Sequence, residues 1–190
     1  MSDMSTAQLR RHRWTRDEWS QFDAEAYRHC ELIDGEIIDM ASMASPHALV
    51  TDHIRELFTV SLLERPGCCG SQTPIVLDDY NEPEPDIWVA RVPRAELEIG
   101  KPQPHELDLV VEVADSTIRS DRRLKMPVYA RAGLPEVWLV DVGERTIDVL
   151  RSPVSDDSRY ADRVTAPVDA TVVAPWGAEF AVADLLAMLG

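Results

Sequence analysis

Two acidic residues stand where acidic residues are costly. Glu112 lies in residues 107–113, where Leu109, Val111 and Val113 share one face of an extended segment and Asp108, Val110 and Glu112 share the other. The density of branched aliphatics places this strand centrally in a sheet covered on both sides. A carboxylate there must be paired, protonated or bound to a metal. Asp86 belongs to a second acidic motif, Glu84-Pro85-Asp86, which leads into the short apolar run Ile87-Trp88-Val89-Ala90. Open α/β sheets place ligands at strand ends that face polar loops. Two strands that each deliver one carboxylate to the same region make a site for a hard divalent cation such as Mg²⁺. Spacing alone leaves a structural salt bridge open as the alternative.

Other chemistry-bearing residues are less suggestive. The three cysteines include the adjacent Cys68 and Cys69 and form no Cys-x-x-Cys pair, so they are expected to be small apolar fillers. His47 and His53 are six residues apart, which does not set them on one helical face as a ligand pair; both are expected to be structural. The net charge of −15 disfavours non-specific nucleic-acid binding, which depends on cationic neutralisation of phosphates. Two local departures exist. Arg10, Arg11, Arg13 and Arg16 form a basic N-terminal arm, read as a solvated face. Arg119, Arg122, Arg123, Lys125 and Arg131 follow Glu112, and Lys125 taken by itself reads as an exposed helix residue paired with Asp121.

The elements that must position these groups follow from the chain order. At 190 residues the protein is expected to be one domain, burying roughly 70% of its unfolded surface. Residues 1–9 are expected to fray. Thr15-Arg16-Asp17-Glu18 fits a capping box and predicts a helix to about residue 26. Residues 31–40 hold two strand-like runs around Asp34-Gly35, a hairpin signal, and bring Glu31 near the end of the sheet. Ser45-Pro46 starts a helix whose apolar spacing runs to about Glu64. A strand is expected over residues 73–77, and turns with one helical turn over 91–101. Pro127 predicts either a kink or a helix that begins near Lys125, with Gly133 as its cap. Residues 136–141 form the next strand, and residues 146–150 pair back across Gly143. The unit from Leu107 to Asp141 predicts a right-handed parallel crossover. Beyond Ser152 a polar loop, a strand at 171–173 and a terminal helix at about 183–189 are expected.

The order of Glu31-Leu-Ile-Asp-Gly-Glu, Pro85-Asp86, Val111-Glu112-Val113, the stretch from Asp121 through Lys125 and Tyr129 to Gly133, and Glu136-Val-Trp-Leu-Val-Asp resembles the Uma-two family. Its members are bacterial proteins described as restriction endonucleases of the PD-(D/E)XK superfamily. The resemblance covers about Thr15 to the C-terminus. It implies an α/β fold with a restriction-endonuclease-like core, a mixed β-sheet flanked by helices. It also implies that Asp86 and Glu112 bind Mg²⁺ or Mn²⁺ with the Val113 carbonyl, that Lys125 acts beside them, and that Glu31 adds a ligand directly or through water. The superfamily's usual lysine, two residues after the glutamate, is Ala114 here, and Lys125 on the following helix takes its place. The family's usual Ser-Pro-Ser-Thr is Ala114-Asp115-Ser116-Thr117.

The resulting expectation is residues 1–14 as a flexible basic arm and residues 15–190 as one domain, a divalent-metal-dependent endonuclease acting on DNA. A non-catalytic module that binds nucleic acid or protein, favoured by the acidic surface, and a hydrolase of a smaller phosphate ester are the alternatives. DNA is the expected partner, a homodimer is an allowed assembly, and no membrane association is expected, since no apolar run approaches the ~20 residues that cross a bilayer. The N-terminus lacks an apolar signal core, which makes the cytoplasm the expected location.

Overall fold

The computed structural model describes residues 12–22, 24–40, 45–114 and 119–189. Arg10, Arg11 and the segment Asp115-Ser116-Thr117, like the terminal residues expected to fray, lie outside the described residues. The strands are β1 (Cys30–Ile33), β2 (Glu36–Asp39), β3 (Cys68–Ser71), β4 (Ile87–Ala90), β5 (Leu107–Ala114), β6 (Glu136–Asp141), β7 (Thr146–Val154), β8 (Arg159–Ala166), β9 (Thr171–Val173) and β10 (Glu179–Ala181). The helices are α1 (Arg16–Trp19), α2 (Ser45–Ser61), α3 (Arg119–Arg131) and α4 (Val182–Leu185).

Six strands form one sheet in the order β3-β4-β5-β6-β7-β8, with β5 and β6 parallel and the other neighbours antiparallel. The branched aliphatics of β5 are buried on both faces, as a central strand requires. On one face Leu109, Val111 and Val113 pack with Val50, Ile54 and Phe58 of α2 and with Trp138 and Val140 of β6. On the other, Leu107 and Val110 pack with Tyr129 of α3, Trp88 of β4 and Val137 of β6. Phe58 meets Trp138 and Trp176 edge-on at 5.6 and 5.2 Å, a geometry that adds about 0.5–1.5 kcal/mol per pair beyond burial. The architecture is the expected mixed α/β sheet with helices on both faces, and α3 is the crossover between β5 and β6. No described helix is long and apolar enough to cross a membrane.

The hairpin β1–β2 turns at Asp34 (φ 51°) and Gly35 (φ 77°), the two positive values that its tight turn requires. Trp14 donates to the Gly35 carbonyl at 2.8 Å, so residues 12–14 run beside this turn. Gly133 (φ 72°) caps α3 just beyond Arg131, and Leu134 N–H donates to the Tyr129 carbonyl at 3.1 Å.

Several boundaries differ from the sequence expectation. The Thr15–Glu18 capping box forms, but α1 stops at Trp19; it buries no residue, so packing does not extend it. α2 ends at Ser61, before Glu64. Residues 73–77 form no strand: Ile75, Val76 and Leu77 donate separately to Pro83, Pro102 and Asn81, a loop solution for buried backbone. The strand lies earlier, at Cys68–Ser71, where β4 supplies the partner. β7 continues to Val154 and β8 replaces the expected polar loop, because its exposed charges suit a strand at the margin of a sheet. α3 runs through Pro127 as one helix and starts at Arg119.

Candidate active site

Sheet register brings the two acidic motifs together. Ile87 pairs with Val111 across β4 and β5, so Asp86 lies one residue beyond the ladder, beside Glu112. Its Oδ2 accepts the Val113 N–H at 2.7 Å. Glu112 shares its face with Val110 and meets α3, where Tyr129 and Lys125 are one turn apart. The Tyr129 hydroxyl donates to Glu112 Oε1 at 2.6 Å. Lys125 Nζ stands 3.4 Å from the same oxygen and 3.0 Å from Glu31 Oε2, and donates to the Glu84 carbonyl at 3.2 Å.

Glu31 arrives from outside the main sheet. Leu32 and Glu82 exchange backbone hydrogen bonds of 3.4 and 2.9 Å, which fasten the β1–β2 hairpin to the loop before Asp86. Glu31 Oε2 then accepts the Glu84 N–H at 3.1 Å. Glu82 is fixed in turn by Arg16 at 2.7 Å and Lys101 at 2.6 Å. The structure thus brings Glu31, Asp86, Glu112, Val113 and Lys125 to one end of the sheet.

Most of these groups are buried: Glu31, Glu112 and Lys125 are 5%, 9% and 7% exposed. Lys125 is therefore not the solvated helix residue that its own neighbourhood in the sequence suggested. Burial pushes the Glu112 carboxyl up to about 7; Asp86 and Glu31 add to the rise, while Lys125 and Tyr129 oppose it. Burial also raises Glu84, with Glu31 adding and Lys125 opposing. For Lys125 burial favours the neutral amine, but Glu112, Glu31 and Asp86 outweigh it and hold the ammonium well above its ordinary range. Burial and the Glu112 charge raise the Tyr129 phenol, which stays a hydrogen-bond donor.

Sequence reasoning missed two residues. Tyr129 entered only as part of the family-matching stretch, with no role assigned, and its hydroxyl is what fixes Glu112. His47 was set aside for want of a histidine partner on its own helix, yet its neighbour is a carboxylate on another element: Nε2 is 3.0 Å from Asp86 Oδ1. Burial pulls the imidazole pKa down, but Asp86, Glu112 and the Val113 carbonyl outweigh it and the net direction is up. The available signal was Pro46 at the start of α2, which puts His47 in the first turn of a helix.

By donor chemistry the cluster suits a hard divalent cation: it holds the Asp86 and Glu112 carboxylates and the Val113 strand carbonyl. The carboxylates do not converge tightly, because the Lys125 ammonium stands between Glu31 and Glu112. Among the described residues, the group of three whose ligand atoms all lie within 4.8 Å of one another is Glu98, His105 and Glu106, near the opposite end of β5. Glu106 there already accepts the Glu98 and Gln103 N–H groups, and His105 is 3.1 Å from Glu98, so that group is accounted for as a loop cap. The cysteines are free thiols, and burial pushes Cys69 up to about 12, in keeping with the filler role.

Comparison with solved structures finds a likeness to "a putative nuclease belonging to DUF820 from Anabaena variabilis ATCC 29413": TM-score 0.74, 19% identity, 93% of this chain and 99% of that one. At that identity the likeness establishes the fold. No curated protein matches the chain. The sequence pattern of one family, Uma2, described as "Putative restriction endonuclease", matches residues 16–183. With nearly the whole described chain inside that match, the protein belongs to the Uma2 family.

Proposed function

We propose that the protein is a divalent-metal-dependent endonuclease that hydrolyses DNA phosphodiester bonds. The observation that carries this reading is the placement of Asp86 and Glu112 on adjacent strands, with the buried Lys125 ammonium against Glu112. Asp86, Glu112 and the Val113 carbonyl are the residues that would hold the cation, with Glu31 able to contribute. Bound there, a divalent cation supplies Lewis acidity to a phosphodiester oxygen and makes water easier to deprotonate.

The protein's own groups have separate tasks. Tyr129 and the Val113 N–H each hold one carboxylate oxygen, so Glu112 and Asp86 keep their orientation before substrate arrives. Lys125 is fixed by three acceptors and offers a preorganised positive charge to the phosphorane as it forms. A bound cation would favour the ionised Glu112 carboxylate, opposing the burial that raises its pKa in the metal-free protein.

The test is cleavage of supercoiled plasmid with Mg²⁺ or Mn²⁺. Glu112→Gln keeps the shape of the side chain and should abolish cleavage, and Lys125→Ala should slow turnover by roughly 10²-fold or more. Equal cleavage by wild type and Glu112→Gln from independent preparations would defeat the reading. A wild-type protein inert on DNA with either ion would also defeat it.

A further inference from the structure

His47 is a buried polar side chain that the proposed mechanism leaves unused. It is 5% exposed, and neither Nδ1 nor Nε2 has a hydrogen-bond partner. Thr51, one turn further along α2 and fully buried, also has an unpartnered hydroxyl. Leaving a buried polar group unsatisfied is costly, so such groups mark places where a ligand or catalytic task holds them.

The geometry beside Asp86 is informative. Nε2 comes within 3.0 Å of Oδ1, a hydrogen-bond distance, without being aligned for a hydrogen bond. Two adjacent ligands of an octahedral ion behave in this way. With bonds of about 2.1 Å they stand about 3.0 Å apart, and each points at the ion rather than at the other. The Val113 carbonyl also acts on the imidazole, so His47 faces two of the groups assigned to the cation.

We infer that His47 is a nitrogen ligand of the divalent cation, next to Asp86, and that it biases the site toward Mn²⁺ and other transition ions over Mg²⁺. This rests on the metal-site reading above. Carboxylate and carbonyl oxygens suit Mg²⁺ and Mn²⁺ alike, whereas imidazole favours the transition ion. The position on α2 matters too: α2 packs on the face opposite α3, so the site draws a nitrogen from one side of the sheet and its ammonium from the other.

The experiment is pulsed electron paramagnetic resonance of the Mn²⁺-loaded protein, with natural-abundance and ¹⁵N-histidine-labelled chains, alongside calorimetric Mn²⁺ and Mg²⁺ titrations. The expected result is a directly coordinated histidine nitrogen in wild type that disappears in His47→Gln. The variant's Mn²⁺ affinity should fall about tenfold or more, the usual scale for disturbing a metal site, with a smaller change for Mg²⁺. His47→Asn is the second variant should Gln not be tolerated. Mn²⁺ bound in a manner that Asp86→Asn removes, but without nitrogen coupling, would overturn the role of His47 and leave the cation reading standing. Nitrogen coupling that persists in both His47 variants would also overturn it. Absence of any Mn²⁺ binding sensitive to Asp86→Asn would overturn both.

Discussion

Replacing Lys125 by methionine keeps a stem of similar length and removes the ammonium. That ammonium lies 3.0 Å from Glu31 Oε2 and 3.4 Å from Glu112 Oε1, with all three groups buried. Its loss strands two buried carboxylates, and removing one partner of a buried ion pair costs about 3–5 kcal/mol. Proton uptake is the escape, and Glu112 is placed to take it. Burial already pushes it to about 7 from an ordinary value of 4.5, and the Lys125 charge is the largest influence in the opposite direction. A carboxyl raised on folding destabilises progressively as pH rises past its unfolded pKa, and the loss is complete above its folded pKa. In wild type that window closes near 7; in Lys125→Met it extends higher. The difference between the proteins should therefore be about 1 kcal/mol at pH 5, the scale of a lost hydrogen bond, and about 3–5 kcal/mol at pH 8.5. Urea unfolding of metal-free protein at fixed ionic strength measures it, with the buried Trp88 and Trp138 as fluorescent reporters. A difference that stays below 1 kcal/mol at pH 8.5, or that does not grow between the two pH values, refutes the reasoning.

Tyr129→Phe removes a 2.6 Å hydrogen bond to Glu112 and should cost about 1.5–3 kcal/mol in urea at pH 8, while moving the Glu112 titration upward. Wild-type stability at pH 8 would show that the hydroxyl does not hold the carboxylate. Mn²⁺ at a hundredfold excess over its Kd should stabilise wild type by about 2.7 kcal/mol, a rise of about 5–10 °C in Tm, and Asp86→Asn should lose most of it. Equal gains in the two proteins would place the binding elsewhere on the acidic surface. Gly70→Ala puts a Cβ 2.3 Å from the buried Trp88 ring and should cost about 1–3 kcal/mol by urea unfolding; a neutral result would mean that the ring yields freely.

The central strand was legible because branched aliphatics on both faces leave few other solutions, and Glu112 stood out against them. Asp86 followed from a proline-led strand start, although its place beside Glu112 depends on register that spacing does not carry. Lys125 was different. Its own neighbours suggested a surface pair, and only the family resemblance pointed inward, because the β1–β2 hairpin that supplies Glu31 is fastened through Glu82, far along the chain. His47 and Tyr129 were opaque for a related reason: each is defined by a partner on another element. Local pattern also misled where backbone pairing was decisive. Residues 73–77 look apolar enough for a strand, yet their donors go to three separate loop carbonyls, while Cys68–Ser71, with no strand-favouring composition, is drawn into the ladder by β4.

The two margins of the main sheet bear on how the protein behaves at high concentration. A sheet with long, flat, uncharged outer strands invites another chain to extend it, which is a common start of aggregation. At one margin, β3 is only four residues long and includes a glycine. At the other, β8 carries Arg159, Asp162 and Arg163 within a largely exposed strand, and Arg163 is tied back to Asp148 at 2.6 Å. An incoming strand would find too few backbone groups at the first margin and would have to desolvate charges at the second. The net charge of −15 adds repulsion between whole molecules. The shape and charge of the outermost strands thus make edge-to-edge extension of the sheet costly.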